Sequence, residues 1–159
     1  AAQRFGVPIR WINVVMMLES GGDARAVSPA GAMGLMQIMP DTWVDLRSRH
    51  DFGADPFDPR DNILAGAAYL REMHDRYGSP GFLAAYNAGP RRYEEYLATG
   101  RELPRETQLY FATIAPMISE TQGGGTLAIT RPAVPWQEAA LFAARSPGGS
   151  PAGSLSPLP

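Results

Sequence analysis

The feature that most limits how this chain can fold is a long run bracketed by helix punctuation at both ends. Asp58-Pro59-Arg60-Asp61 supplies a capping carboxylate, a proline at the first helical position and a second acid in the first turn. Ile63, Ala67, Leu70 and Tyr77 then recur at the helical period, and Gly78-Ser79-Pro80 stops the run. A helix of that length needs apolar partners, and the first 120 residues provide them in the same form. The pattern predicts further helices from Val7-Pro8 to Glu19, from about Pro40 to Arg49, from Pro80 to Ala88, from Arg91 to Thr99 and from Pro104 to about Ser119. No alternating strand pattern occurs in this region, so the expected fold class is mainly α.

Between the first two of these helices, residues 21–34 read as a loop rich in Gly, Ser, Asp and Pro. The composition changes at Thr121: 12 of the last 39 residues are Gly or Pro, against 32 of all 159. That contrast predicts one helical domain over 1–120 and a Gly/Pro-rich linker or tail over 121–159. Trp136 to Arg145 (WQEAALFAAR) is able to form one amphipathic helix inside the tail, either packing on its own domain or serving a partner.

Charge and composition remove several functional classes. A net charge of -2 gives no basic field for nucleic acid or an anionic membrane. No apolar run approaches the roughly 20 residues that span a bilayer, and the expectation is a soluble chain. It begins without Met, which leaves open that a signal peptide has been removed. There are no cysteines for disulfide or thiolate chemistry. His50 and His74 lack metal-ligand spacing, so no metal or other cofactor is expected.

The stretch VVMMLESGG, Val14 to Gly22, places a carboxyl on the buried stripe of a helix, at its C-terminal end. Ile12, Val15 and Glu19 share that stripe. Desolvation and the negative end of the helix dipole both disfavour the ionised form there, so the pKa of Glu19 is expected to rise. A carboxylic acid still protonated near neutral pH suits general-acid cleavage of a glycosidic bond. Read alone, the same stretch also fits a solvated helix end.

Three further stretches bear on that choice. GAMGLMQIMPDTW, Gly31 to Trp43, sets one uncharged polar residue, Gln37, among Met33, Leu35, Met36, Ile38 and Met39, with glycines that let backbone approach a ligand. The apolar members also suit a core. AAYNAGP, Ala84 to Pro90, puts Tyr86 and Asn87 at a helix end. ETQLY, Glu106 to Tyr110, places Glu106 and Tyr110 on one helix face, with Glu106 in a first turn that favours its ionised form.

In this order, the motifs ES, GLMQIMP, AYNAGP and ETQLY resemble the family 1 lytic transglycosylases, the soluble-lytic-transglycosylase or SLT domain of the lysozyme-like superfamily, over roughly residues 1–120. The resemblance implies a lysozyme-like helical fold. It implies cleavage of the β-1,4 bond between N-acetylmuramic acid and N-acetylglucosamine in peptidoglycan, leaving 1,6-anhydromuramic ends. It makes Glu19 the sole catalytic acid/base and Ser20 a polar contact beside it. Gly34, Leu35, Met36, Gln37, Tyr86 and Asn87 would line the substrate cleft. Tyr110 would place Glu19, and Glu106 would be a buried structural partner. One departure is visible: ETQLY runs on into Phe111 where many relatives have Val.

Most glycosidases use two carboxylates separated by roughly 5–9.5 Å. Asp23, Asp41 and Asp45 are the nearest candidates for a second one, and loop polarity, helix capping or a solvated face explains each. A single carboxyl suffices if the substrate's 2-acetamido group stabilises C1. Arg91-Arg92 reads either as a solvated helix start or as a contact for stem-peptide carboxylates or the muramic lactyl group. Two other readings stay open, a lysozyme-like muramidase that admits water and a non-catalytic peptidoglycan-binding assembly module. The expected partner is the peptidoglycan glycan strand, with an envelope-machinery protein as a further partner of the tail, and the expected location is the periplasm or cell envelope.

Overall fold

The computed structural model describes residues 1–119; the tail from 121 and its amphipathic segment 136–145 lie outside the described residues. Among the described residues, seven helices follow in order: α1 (Ala2–Phe5), α2 (Ile9–Ser20), α3 (Pro40–His50), α4 (Pro59–Tyr77), α5 (Gly81–Ala88), α6 (Pro90–Thr99) and α7 (Arg105–Ser119). Among the described residues only two isolated antiparallel bridges break the helical pattern, Val27 with Met33 and Met33 with Ile38. Both lie in the long loop between α2 and α3.

Helix α4 forms as its punctuation requires. The Asp58 side chain accepts from the Asp61 amide at 2.9 Å, and the chain leaves the helix at Gly78 with positive φ. Its buried surface is wider than the expected stripe. Asn62, Leu64, Ala65, Gly66, Ala67, Ala68, Leu70 and Met73 are all buried, because α1, α2, α3 and α5 pack around this one helix. Where α4 meets the α2–α3 loop, a glycine is needed. A Cβ on Gly66 would lie 2.5 Å from Cβ and Cγ of Met36.

The second layer forms around α5, whose Phe82, Leu83, Ala84 and Ala85 are buried against α4, α6 and α7. Helix α7 returns to pack on both α5 and α2, which brings Tyr110 and Ile114 into the core beside the end of α2. Two boundaries differ from the expectation. Pro8 lies just outside α2 as its N-cap residue, with extended ψ of 131°, and not in the first turn. Helix α1, too short for a hydrophobic period to register, was not expected. It is fastened by Arg4, which donates to the His50 carbonyl at 2.9 Å and lies over the rings of Phe5 and Phe52.

Candidate active site

The last turn of α2 delivers Glu19 and Ser20 into the protein, both buried, before Gly21 reverses the chain in the left-handed region with φ of 62°. Glu19 is 7% exposed. Burial is the main reason its carboxyl is pushed up from 4.5 to about 8; the neighbouring Glu106 carboxylate adds to the rise, and Tyr110 works against it. The Tyr110 hydroxyl lies against the Glu19 carboxyl, outside full hydrogen-bond geometry yet close enough to favour the charged form. Tyr86 is also within electrostatic reach. Both phenols are held well above their usual range, first by burial and then by the Glu19 charge.

Opposite this acid, the α2–α3 loop is held by side chains from three helices. From α2, the Ser20 hydroxyl donates to the Leu35 carbonyl at 2.8 Å, with the Met16 carbonyl at 3.1 Å, and accepts from the Gly22 amide at 3.2 Å. From α4, Asn62 accepts from the Met36 amide at 2.8 Å and donates to the carbonyls of Met33 at 3.0 Å and Pro56 at 2.8 Å. From α5, the Tyr86 hydroxyl donates to the Met36 carbonyl at 2.8 Å. Gly34 fits only as glycine, since its φ is 73° and a Cβ would lie 2.5 Å from Asn62 Nδ2.

Gln37 completes this frame from within the loop. It adopts a φ of 48°, and its amide nitrogen donates to the carbonyls of Ala26 at 3.1 Å and Gly34 at 2.9 Å. Its Oε1 is buried with no hydrogen-bond partner among the described residues. On the far wall, Asn87 is half-buried at the end of α5, and its Oδ1 accepts from the buried Thr107 hydroxyl of α7 at 2.8 Å. That bond turns the amide nitrogen of Asn87 away from Thr107.

The structure thus brings Glu19, Tyr86 and Tyr110 together, and it corrects several expected roles. Ser20 is fully buried and its hydroxyl is used inside the protein, where it fastens the loop. Gly34, Leu35 and Met36 are buried too, and the Gly34, Leu35 and Met36 carbonyls already serve Gln37, Ser20 and Tyr86. Glu106 is exposed and not buried, because the first turn of α7 keeps its outer face in water while Thr107 and Tyr110 turn inward. Its charge nevertheless reaches Glu19.

Asn62 and Thr107 are the polar residues that sequence reasoning missed. Asn62 sits one turn before Gly66 on the buried face of α4, and a lone amide on such a face was the available signal. The three aspartates behave as their local settings predict. Asp23 caps a turn by accepting from the Arg25 amide at 2.8 Å, Asp45 pairs with Arg49 at 2.6 Å, and Asp41 lies exposed in the first turn of α3.

A helical domain that sets one buried carboxyl at a helix end, facing a rigidly held loop, has the lysozyme-like architecture of the transglycosylases. The transglycosylase SLT domain matches residues 1–109, and the chain belongs to that family. It is 34% identical over 128 residues to a transglycosylase of Enterobacteria phage PRD1, across 77% of this chain and 46% of the phage protein. It is 34% identical over 124 residues to the soluble lytic murein transglycosylase of Escherichia coli K12, across 74% of this chain and 19% of that protein.

Among solved structures, an inactive glutamate-to-glutamine mutant of the lytic transglycosylase Slt from Pseudomonas aeruginosa superposes with a TM-score of 0.57 at 31% identity, over 74% of this chain and 20% of that one. The complex of the 70-kDa soluble lytic transglycosylase with bulgecin A gives 0.58 at 30% identity, over 66% of this chain and 20% of that one. The chain therefore spans under half the length of the phage relative and about a fifth of the bacterial ones.

Proposed function

We propose that this chain is a peptidoglycan lytic transglycosylase whose domain over 1–120 cleaves the β-1,4 bond from N-acetylmuramic acid to N-acetylglucosamine, with Glu19 as its sole acid/base. The observation that carries this is the state of Glu19: buried, aimed from a helix end, and with a carboxyl raised to about 8. Such a group holds its proton at neutral pH. It can give that proton to the glycosidic oxygen as the bond to C1 breaks. Asp23, Asp41 and Asp45 are all exposed, and Asp23 and Asp45 are engaged elsewhere, so none of these three is set to act as nucleophile or to activate water.

Stabilisation of C1 then falls to the substrate's own 2-acetamido group. Once ionised, Glu19 takes the proton from the C6 hydroxyl as O6 closes on C1, which forms the 1,6-anhydro ring without water. Burial of Glu19 favours this neutral acid before cleavage, and the Tyr110 hydroxyl favours the carboxylate left once the proton is given. The unpaired Gln37 Oε1 matches an acetamido N–H or a sugar hydroxyl, and the Asn87 amide nitrogen offers a donor on the opposite wall. In the Pseudomonas relative, one glutamate-to-glutamine change gives an inactive enzyme, as a site with an essential glutamate predicts.

The place of action that follows from this substrate is the periplasm or cell envelope. Mass spectrometry of digested peptidoglycan tests the reaction, because anhydro products lack the one water that muramidase products contain. Exclusively reducing ends would replace lyase by hydrolase, and unchanged wall digestion by Glu19→Gln would leave only a binding module.

A further inference from the structure

Thr107 of α7 is a buried polar residue, 2% exposed, that the mechanism above does not use. Its hydroxyl has an unusual partner for a helical threonine. On α6 and α7, Thr99 and Thr113 donate to the carbonyls four residues back, at 2.7 Å and 2.9 Å, which is the ordinary local use of the group. Thr107 instead donates across to α5, 20 positions away, where Asn87 Oδ1 accepts at 2.8 Å. The carbonyl four residues before it, that of Leu103, already accepts from the Gln108 side-chain amide at 2.7 Å. An asparagine amide presents either its NH₂ or its C=O to a cleft, according to which end is engaged behind it. With Oδ1 held by Thr107, the Asn87 nitrogen is left over: it has no hydrogen-bond partner among the described residues and is not sealed from solvent.

We propose that Thr107 is a positioning residue, which locks the Asn87 amide with its NH₂ toward the glycan and so makes this wall of the site select an oxygen acceptor; the proposal rests on the peptidoglycan reading above. The pair stands beside the candidate acid. Asn87 follows Tyr86 on α5, Thr107 precedes Tyr110 by one turn, about 5 Å along α7, and both phenols feel the Glu19 charge. Without the Thr107 hydroxyl the amide is free to turn over and to present an acceptor where the glycan needs a donor. Because Asn87 is only half-buried, water can then serve Oδ1, and the fold loses little. Thr107 is not among the groups that shift the Glu19 carboxyl, so its effect falls on binding and not on the acid.

Steady-state kinetics on soluble peptidoglycan strands read this out. Thr107→Val keeps the shape and removes the hydroxyl; it should raise KM about fivefold, as for one lost hydrogen bond, and leave kcat and the alkaline limb of the pH–rate profile in place. Thr107→Ser should recover most of the loss. Asn87→Asp keeps an acceptor for Thr107 and turns the outward donor into an acceptor, so it should raise KM at least as far with Thr107 intact. In an Asn87→Ala chain, Thr107→Val should have no further effect, since it acts through that amide. An unchanged KM in Thr107→Val, or the same rise again in the Asn87→Ala chain, overturns the proposal. So does a fall in kcat with a moved alkaline limb, because a disturbance of α7 itself would carry Tyr110 with it. Calorimetric binding of the same strands to Glu19→Gln chains, with and without Thr107→Val, needs no turnover. About fivefold weaker binding there, beside a native chain that releases no anhydro product, would sink the lytic reading and leave the positioning role standing.

Discussion

The Ser20 hydroxyl is hydrogen-bonded to the Leu35 carbonyl at 2.8 Å, which ties the residue after the candidate acid directly to the loop facing it. Neither group meets solvent, since Ser20 is completely buried and Leu35 nearly so. One short contact between α2 and the loop thus helps to hold Glu19 in place relative to Gln37.

Ser20→Ala is expected to lower stability by about 1–3 kcal/mol, because the Leu35 carbonyl would remain buried without its donor. Activity should fall by roughly one to two orders of magnitude, as expected when an acid loses its fixed placement. Chemical denaturation and initial rates on purified peptidoglycan measure the two effects. Full activity with lowered stability would show that Ser20 supports the fold without setting the acid.

The raised pKa of Glu19 predicts two pH effects. Activity should decline as pH rises past about 8, where the acid loses its proton. Stability should move in the same direction, because the folded chain keeps a proton that the unfolded chain releases from 4.5 upward. The contribution of this group is greatest below that value and is lost as pH approaches about 8. Glu19→Gln removes the linkage, so at about pH 9 the variant should melt at a higher temperature than the native chain, with the difference shrinking in acid. Parallel melting curves for the two proteins across this range would contradict the assignment.

Two neighbours should move the alkaline limb of the activity profile in opposite directions. Tyr110→Phe removes the group that favours the Glu19 carboxylate, which raises the acid's pKa and shifts the limb upward. Glu106→Gln removes a repelling charge and shifts it downward. Full pH–rate profiles of both variants decide this. Shifts of the same sign would mean that one of the two acts on Glu19 through a change in structure.

Gly66→Ala is expected to destabilise the chain by about 1–2 kcal/mol, although alanine is the better helix former by about 1 kcal/mol. The added Cβ would meet Met36 at 2.5 Å, and because the contact includes the Met36 Cβ, the loop backbone itself must shift. Urea denaturation checks the stability, and a parallel loss of activity would show that the displacement reaches the site.

Much of this architecture was legible in the sequence because it is locally determined. The Asp58 cap, Pro59 at the first position and Gly78 at the end act within one turn of α4, and the structure uses each as expected. Glu19 was legible for the same reason, since its place on the stripe of Ile12 and Val15 is a matter of spacing. The loop's anchoring was not. Asn62 reaches the Met36 amide across 26 positions and Tyr86 reaches the Met36 carbonyl across 50, and no local pattern specifies such pairs. The burial of Glu106 was misjudged by the same limit: which side of a helix end becomes covered depends on the docking of elements far along the chain.

Tyr86, Asn62 and Ser20 approach the α2–α3 loop from three different helices, and this sets when the proton donor comes into being. An extended chain carries Glu19 as an ordinary glutamate, almost wholly ionised at neutral pH. Only after α2, α4 and α5 have closed on the loop and α7 has covered the acid does the carboxyl hold its proton at about 8. If Glu19 is the acid proposed above, the chain has no proton to offer glycan until it is fully compact, and activity would then double as a report on the completeness of its own folding.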